Sequence, residues 1–389
     1  MRIRISADYP KEDFLNSQEM HGSDEVDSIV VNGRYRVHKI TGVQRYAHEI
    51  TSRLDAKDGK GHGTPLDILG PVKAKGSLGH LWEQTVLPAA CRGRLLYSPC
   101  ASGPAFYSRQ VVTFHDTFPI EHPEWYGSAY GAWYRFLMAR LATECLHVIA
   151  VSEYTKSRLV HLLGCDPDQI TVIHNGLTRS CERVGADKIE AARLALKLPT
   201  RNYVLSLSSL EKRKNLRTTL EAWARIHLSL PSTWLVLAGA EADESVYGQQ
   251  DLPIGLPRVL YTGYVSEEHL AGLYSGASLF LFPSLAEGFG LPLLEAMACG
   301  LRAITSNTTS LPEVGGDVVT YIDPLDAAAL GNAVLQAFAA GANPEKPFLP
   351  AMERARHFCW DGAASQTRAV LEAAASFVPN VATSRRSTI

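Results

Sequence analysis

The sequence predicts an α/β protein made of two units, each a parallel β-sheet with helices on both faces. Three observations predict it. The chain is 389 residues long, more than one ordinary domain holds and suited to two of comparable size. Short β-rich runs alternate with longer stretches of helical period from end to end, which is the pattern of parallel strands joined by covering helices. The alternation is broken at residues 178–200, a charged link that carries its own helical stretch at 189–196.

In the first half the β-rich runs are residues 28–31, 66–69, 95–97, 111–114, 148–151 and 170–173, with helical period clearest at 43–54 and 154–163. The second half repeats the scheme, with strands at 203–206, 234–238, 259–262, 279–282, 303–305 and 318–321 and helices at 216–226, 267–274, 292–298 and 327–338. The boundary therefore falls in the charged link, between units of residues 27–185 and 186–364. Residues 1–26 are polar and unpatterned, and 378–389 are rich in Ser, Thr and Arg, so both ends are expected to be mobile extensions.

Composition narrows the function classes. With 46% hydrophobic and 20% charged residues the chain has an ordinary globular composition. The net charge is −2, and residues 1–180 hold 20 basic against 19 acidic side chains, so no half is a nucleic-acid-binding surface. The seven cysteines are scattered without a C-x2-C pair, which suggests neither a zinc site nor a disulfide framework and suits a reducing cytoplasm. No apolar run approaches the roughly 18–20 residues that span a bilayer, and the N-terminus lacks the apolar core of a secretion signal. A cytoplasmic location is expected, which leaves the sequon Asn307-Thr-Thr309 without consequence.

The most informative segment is Leu285-Ala-Glu-Gly-Phe-Gly-Leu-Pro-Leu-Leu-Glu-Ala-Met-Ala-Cys-Gly300. It follows an apolar strand and enters a helix through Gly288-Phe289-Gly290, where backbone can approach a ligand closely. Pro292 fits the first helical turn, and the remaining free N–H groups favour phosphate or sugar oxygens. Glu287 before the helix and Glu295 inside it can reach one ligand from different heights, each suited to a pair of vicinal hydroxyls. Taken alone, the pair is also what a solvated loop and a helix surface carry.

This segment resembles the E-x7-E signature of retaining glycosyltransferases of family 4, whose GT-B fold pairs two facing Rossmann-like domains. The resemblance extends to Phe282-Pro-Ser284 and to Ser306-Asn-Thr-Thr-Ser-Leu-Pro-Glu-Val-Gly-Gly-Asp317, and upstream to residues 259–277. Further similar pieces are Thr41-Gly-Val-Gln-Arg-Tyr46, Trp82-Glu-Gln84, Val112-Thr-Phe-His-Asp116, Val151-Ser-Glu-Tyr-Thr155, Val172-Ile-His-Asn-Gly176 and Glu211-Lys-Arg-Lys-Asn215, so it covers roughly residues 28–375. It implies an acceptor-side first domain, a second domain that binds the sugar-nucleotide donor, and a final helix, about 365–377, that crosses back to the first domain with Phe358 and Trp360 packing at the crossing.

The resemblance also assigns roles. Lys214 falls on the family's phosphate lysine, with Arg213 beside it. Ser209 stands where many members have an arginine, so Arg213 or Ser209 is expected to take part of the phosphate contact. His115 is the residue expected beside the hexose and the reacting carbon, with Asp116 supporting it. Glu287 is expected to bind the hexose hydroxyls and Glu295 the ribose hydroxyls, with the N–H groups of Phe289, Gly290 and Leu291 completing the sugar site. Gly42, at the start of the first domain's leading helix, would let backbone approach a phosphate. Arg34 and Arg45 flank it and read either as contacts for an anionic acceptor or as solvent-facing charge. Leu301-Arg-Ala303, where relatives often show Gly-Pro-Val, is a departure close to the site.

Other patterns are set aside. Asp166-Pro-Asp168 imitates a metal-binding Asp-x-Asp but sits in a polar loop before a strand, where a turn explains it. Gly59-Lys-Gly-His-Gly63 does not run from a strand into a helix. No His/Asp/Glu set has metal spacing, so neither metal nor cofactor is expected. The aromatic and arginine-bearing segment 125–140 reads either as a peripheral contact with the inner membrane face or as a helix packed near His115. The expected activity is retaining transfer of a hexose, with mannose from GDP-mannose the best match, to a glycan or polyprenyl-diphosphate-linked acceptor. Other donors, an epimerase using the same cleft, and a silent nucleotide-sugar-binding protein are the alternatives.

Overall fold

The computed structural model describes residues 28–55, 65–71, 76–178, 181–207, 211–239 and 255–377. Both terminal extensions, the glycine-rich stretch 59–63 and Ser209 lie outside them. The first unit runs β1 (Ile29–Asn32), α1 (Gly42–Asp55), β2 (Leu66–Leu69), α2 (Gly76–Cys91), β3 (Leu96–Ser98), β4 (Gln110–Phe114), α3 (Phe118–Glu121), α4 (Ser128–Glu144), β5 (His147–Ala150), α5 (Glu153–Leu163) and β6 (Ile170–Val172). The second runs α6 (Ala186–Ala195), β7 (Tyr203–Leu207), α7 (Leu216–Ile226), β8 (Trp234–Ala238), β9 (Val259–Gly263), α8 (Glu267–Ser275), β10 (Leu279–Phe282), α9 (Leu291–Ala298), β11 (Ala303–Ser306), α10 (Leu311–Gly315), β12 (Thr320–Ile322), α11 (Ala327–Ala339) and α12 (Leu349–Ala355), and α13 (Trp360–Ala375) closes the chain.

Each unit holds a six-stranded parallel sheet, ordered β2-β1-β3-β4-β5-β6 and β12-β11-β10-β7-β8-β9. All twelve expected strands are present, shifted by at most two residues at an end. The central strands β1, β4, β5 and β10 are buried along their whole length, because helices cover both faces of a parallel sheet. Strand order reverses between β1 and β3 in one sheet and between β7 and β10 in the other. Crevices open at the carboxyl ends of strands at such reversals, and loops there are placed to bind ligands.

Helix α2 was not foreseen, since its apolar residues do not keep to one face and Pro88 lies inside it. Leu78, Leu81 and Val86 are exposed on it while Leu87 and Cys91 are buried.

The final helix starts five residues earlier than expected, at Trp360, where the Cys359 thiol accepts from the Gly362 N–H at 3.2 Å. It packs on α1 of the first unit: Arg53 Nε meets Asp361 Oδ1 at 2.6 Å, and Arg368 donates to the Leu54 carbonyl at 2.6 Å. The outgoing and returning chains cross side by side, with Leu177 N–H donating to the Phe358 carbonyl at 3.0 Å. Gly176 is required there, because a Cβ would lie 2.1 Å from the Trp360 nitrogen. Trp360, 2% exposed, stands edge-on to Tyr46, so one apolar core runs through the crossing and joins the units.

Candidate active site

A cleft of about 1450 Å³ lies between the units, lined by Asn32 at the end of β1 and Arg34 beyond it, Pro99 after β3, Arg213 and Lys214 after β7 and Glu287 to Pro292 after β10. Both strand-order reversals therefore face it.

The basic turn and the glutamate loop are tied before any side chain reaches the cleft. Asn215 adopts the left-handed conformation that Asn tolerates, and its amide donates to the Pro283 and Pro324 carbonyls at 2.9 and 2.6 Å. The Leu285 N–H donates to the Arg213 carbonyl at 2.7 Å. The two elements thus carry Lys214 Nζ to Glu287 Oε1 and Arg213 Nη1 to Glu287 Oε2, both at 2.8 Å. Burial by itself would raise the Glu287 carboxyl pKa, but Lys214 and Arg213 outweigh it and hold it below the usual range. For Lys214, burial and the neighbouring Arg213 together lower the ammonium pKa despite Glu287. Buried charges of opposite sign satisfy one another here.

Two residues with no assigned role in the sequence hold this loop. Thr309 Oγ1 accepts from the Glu287 N–H at 3.1 Å, and Ser310 Oγ donates to the Glu287 and Phe289 carbonyls at 2.7 and 2.9 Å. Their only sequence signal was their place in the 306–317 match. The Phe289 ring packs edge-on against Phe358 and beside His174, so this residue can offer the cleft only its backbone. Gly290, at φ 108°, caps α9: its carbonyl accepts the Leu293 and Leu294 N–H groups at 3.1 and 3.2 Å, and Pro292 carries no N–H.

His115 sits 8% exposed at the end of β4, its Nε2 donating to the Pro99 carbonyl at 2.8 Å and its ring edge-on to Tyr46. Burial lowers its pKa to about 4, so the imidazole is neutral at physiological pH. Asp116 accepts the Phe118 N–H at 3.1 Å, and burial, only partly offset by Arg213, raises its pKa to about 6.

Glu295, 7% exposed, accepts from Tyr274 Oη at 3.0 Å, and Arg45 Nη1 reaches it from the first unit at 3.4 Å. Burial dominates and raises its pKa despite Arg45. Arg45 also meets Glu267 at 2.7 Å, so it spans the cleft as part of an ion-pair network and is not a free solvent-facing charge. Gly42 begins α1 opposite the start of α9, and a Cβ there would lie an ordinary 3.6 Å from Leu291 Cδ1, so crowding does not demand glycine.

The expectation for Arg34 is also corrected. It is 8% exposed, and its Nη1 donates to Glu83 Oε2 at 3.1 Å and to Ser102 Oγ at 2.8 Å. Glu83, fully buried on α2, accepts from Asn32 Nδ2 at 2.7 Å as well. Burial alone would raise its pKa, but His80, Arg34, Ser102 and Asn32 together hold it low. Segment 125–140 turns its tyrosines Tyr126, Tyr130 and Tyr134 into the cleft wall. Asp166-Pro-Asp168 is a turn, in which Asp166 accepts the Asp168 N–H at 3.1 Å. No group of three His, Cys, Asp or Glu that could hold a metal occurs among the described residues, and no described helix is long and apolar enough to cross a membrane.

Two facing parallel α/β units, a cleft at both strand reversals and a last helix returning to the first unit define the GT-B architecture of glycosyltransferases. Among solved structures, Alr3699/HepE of Anabaena in complex with UDP-glucose superposes with a TM-score of 0.68 at 19% identity, over 89% of this chain and 99% of that one. WaaG, a glycosyltransferase involved in lipopolysaccharide biosynthesis, gives 0.65 at 16% identity, over 88% and 99%. Residues 188–347 match the Glycosyl transferases group 1 family, and residues 95–180 match Glycosyltransferase Family 4. O-antigen chain mannosyltransferase B of Escherichia coli is 30% identical over 275 residues, 68% of this chain and 72% of that protein. O-antigen chain mannosyltransferase RfbU of Salmonella typhimurium is 28% identical over 56% of this chain and 57% of its own. The chain belongs to the group 1, family 4 glycosyltransferases.

Proposed function

We propose that the protein is a retaining hexosyltransferase of cell-surface polysaccharide assembly, moving mannose from GDP-mannose to a hydroxyl of a glycan or polyprenyl-diphosphate-linked acceptor at the cytoplasmic side of the membrane. The observation that carries this reading is the convergence of Lys214 and Arg213 on Glu287 beside the start of α9, facing His115 across the cleft. The names of the two O-antigen mannosyltransferases support the choice of sugar and pathway.

On this reading the donor diphosphate draws Lys214 and Arg213 onto its oxygens and frees Glu287 for the hexose hydroxyls, while Glu295 takes the ribose. The bond from the anomeric carbon to the phosphate oxygen breaks as the acceptor oxygen bonds to that carbon on the same face. The acceptor proton passes to the departing phosphate, whose charge Lys214, Arg213 and the helix N-terminus stabilise. Neutral His115 holds its ring to the Pro99 carbonyl and can meet developing positive charge without adding to it. The phosphate charge is met by protein cations, so no metal is assigned. Incubation with GDP-mannose, UDP-glucose, dTDP-rhamnose and GDP-fucose, with products read by NMR, tests this. An α-linked mannoside formed in EDTA is expected. A product whose anomeric configuration is opposite to that of its donor, release of an epimer from donor alone, or rescue by manganese after EDTA would overturn the mechanism.

A further inference from the structure

Both oxygens of the Glu295 carboxylate are engaged, by partners of different kinds. Tyr274 Oη donates to Oε2 at 3.0 Å from within the same unit, and its buried ring makes that hold part of the second unit's core. Oε1 is held from the opposite side of the cleft, by Arg45 Nη1 at 3.4 Å. Arg45 and Glu295 both line the cleft, so a ligand that bonds to Oε1 arrives where the guanidinium already stands.

Arg45 has a second anchor. Its Nη2 meets Glu267 Oε1 at 2.7 Å, closer than its contact with Glu295, and Glu267 stands half-exposed in the first turn of α8. The guanidinium belongs to α1 of the first unit, whereas both carboxylates belong to the second. Arg45 can therefore leave Glu295 without losing a charge partner, by turning onto Glu267. Glu295 cannot be left so easily. A buried carboxylate stripped of its cation needs other donors, and a pair of sugar hydroxyls supplies them.

We propose, resting on the reading above that Glu295 takes the ribose, that Arg45 is a cross-cleft gate of the nucleotide site. It holds Glu295 until a nucleoside diphosphate arrives, and the ribose hydroxyls displace it onto Glu267. Nucleotide binding is then an exchange of donors at one buried carboxylate, and the affinity is set partly by how firmly Arg45 holds.

Two substitutions should act in opposite directions. Arg45→Ala frees Oε1 and should tighten the binding of GDP or UDP roughly fivefold, the value of a partly exposed ion pair. Glu267→Ala removes the seat onto which Arg45 turns and should weaken binding to a similar degree. General attraction between a charge and an anionic nucleotide would give the reverse sign in both cases, so the signs distinguish a gate from a mere change of charge. The double variant should follow Arg45→Ala, because without the arginine Glu267 has nothing to hold.

Calorimetry with GDP and UDP on the full chain and the three variants, at physiological ionic strength, tests this. Weaker or unchanged binding by Arg45→Ala would show that the guanidinium does not stand in the nucleotide's way. Unchanged or tighter binding by Glu267→Ala, or a double variant that keeps the Glu267→Ala loss, would show that Arg45 does not turn onto Glu267. Any of these overturns the gate. Equal affinity of the unaltered protein for GDP and 2′,3′-dideoxy-GDP would instead overturn the ribose assignment on which the gate rests, and failure of both GDP and UDP to bind it would overturn the donor reading as a whole.

Discussion

The backbone of Gly288 lies directly against the carbonyl of His115, so closely that a Cβ on residue 288 would fall 1.7 Å from that oxygen. The contact joins the Glu287 loop of one unit to the His115 loop of the other, and Ser152 Oγ fixes it by donating to the Gly288 carbonyl at 2.7 Å. Gly288→Ala must push the loops apart. It is expected to destabilise the protein by about 1–3 kcal/mol and to cut turnover roughly 100-fold, since a shift of about 1 Å at reacting groups costs that much. Turnover near that of the parent, with an unchanged melting temperature, would show that the loops are not held as described.

Lys214→Ala leaves Glu287 paired with Arg213, so the fold should survive. Binding of GDP or UDP is expected to weaken by roughly 1.5–3 kcal/mol, the value of a charge-assisted contact to phosphate. Calorimetry with the free nucleotides checks this, and equal affinity in parent and variant would remove Lys214 from the phosphate site.

Glu287→Ala and Glu295→Ala should behave differently because their partners differ. Glu287 is proposed to meet the hexose, so its loss should lower turnover more than the affinity for free nucleoside diphosphate. Glu295, held by Arg45 and Tyr274, should show its loss in nucleotide binding. Calorimetry and steady-state rates on both variants separate the two outcomes, and matching phenotypes would mean the assignment is wrong.

The pH dependence of stability carries two opposed contributions next to each other. His115 has its folded pKa lowered to about 4 by burial, so its contribution is present above its unfolded value near 6.5 and is lost as pH falls towards 4. Asp116 has its pKa raised to about 6 by burial, so its contribution is present below its unfolded value of 3.8 and is lost as pH rises through 6. Asp116→Asn removes the second contribution alone. Its melting temperature relative to the parent should therefore be higher at about pH 7.5 than at about pH 4.5. A difference independent of pH would show that Asp116 ionises normally.

Glu313 reaches from α10 to cap the start of α5 on the other unit, accepting the N–H groups of Glu153 and Tyr154 at 2.8 Å each. Carboxylates are favoured at helix N-termini, and here the cap also links the units. Glu313→Gln keeps one acceptor oxygen and should cost about 1 kcal/mol, whereas Glu313→Ala should cost about 2 kcal/mol. Small-angle scattering should show a larger radius of gyration for the alanine variant. An unchanged radius would mean that the crossing at Gly176 and Trp360 suffices to hold the units.

The strands and the glutamate helix were legible in the sequence because their causes are local. Apolar runs bounded by turn residues mark buried parallel strands, and Gly290 and Pro292 mark a helix start wherever the chain is placed. The pairing of charges was not legible. Arg45 meets Glu295 across 250 residues, and Lys214 meets Glu287 across 73. Arg34 read as a charge beside a loop, yet it is buried with Glu83, 49 residues away on a helix that its own pattern did not announce. Nothing near any of these residues specifies its partner, because the partner is set by how the sheets order their strands and how the returning helix docks one unit on the other. Sequence thus determined which chemical groups stand at the strand ends. Only the tertiary structure decided which of them face one another, since burial makes an unpaired charge costly and docking settles where each charge finds its opposite.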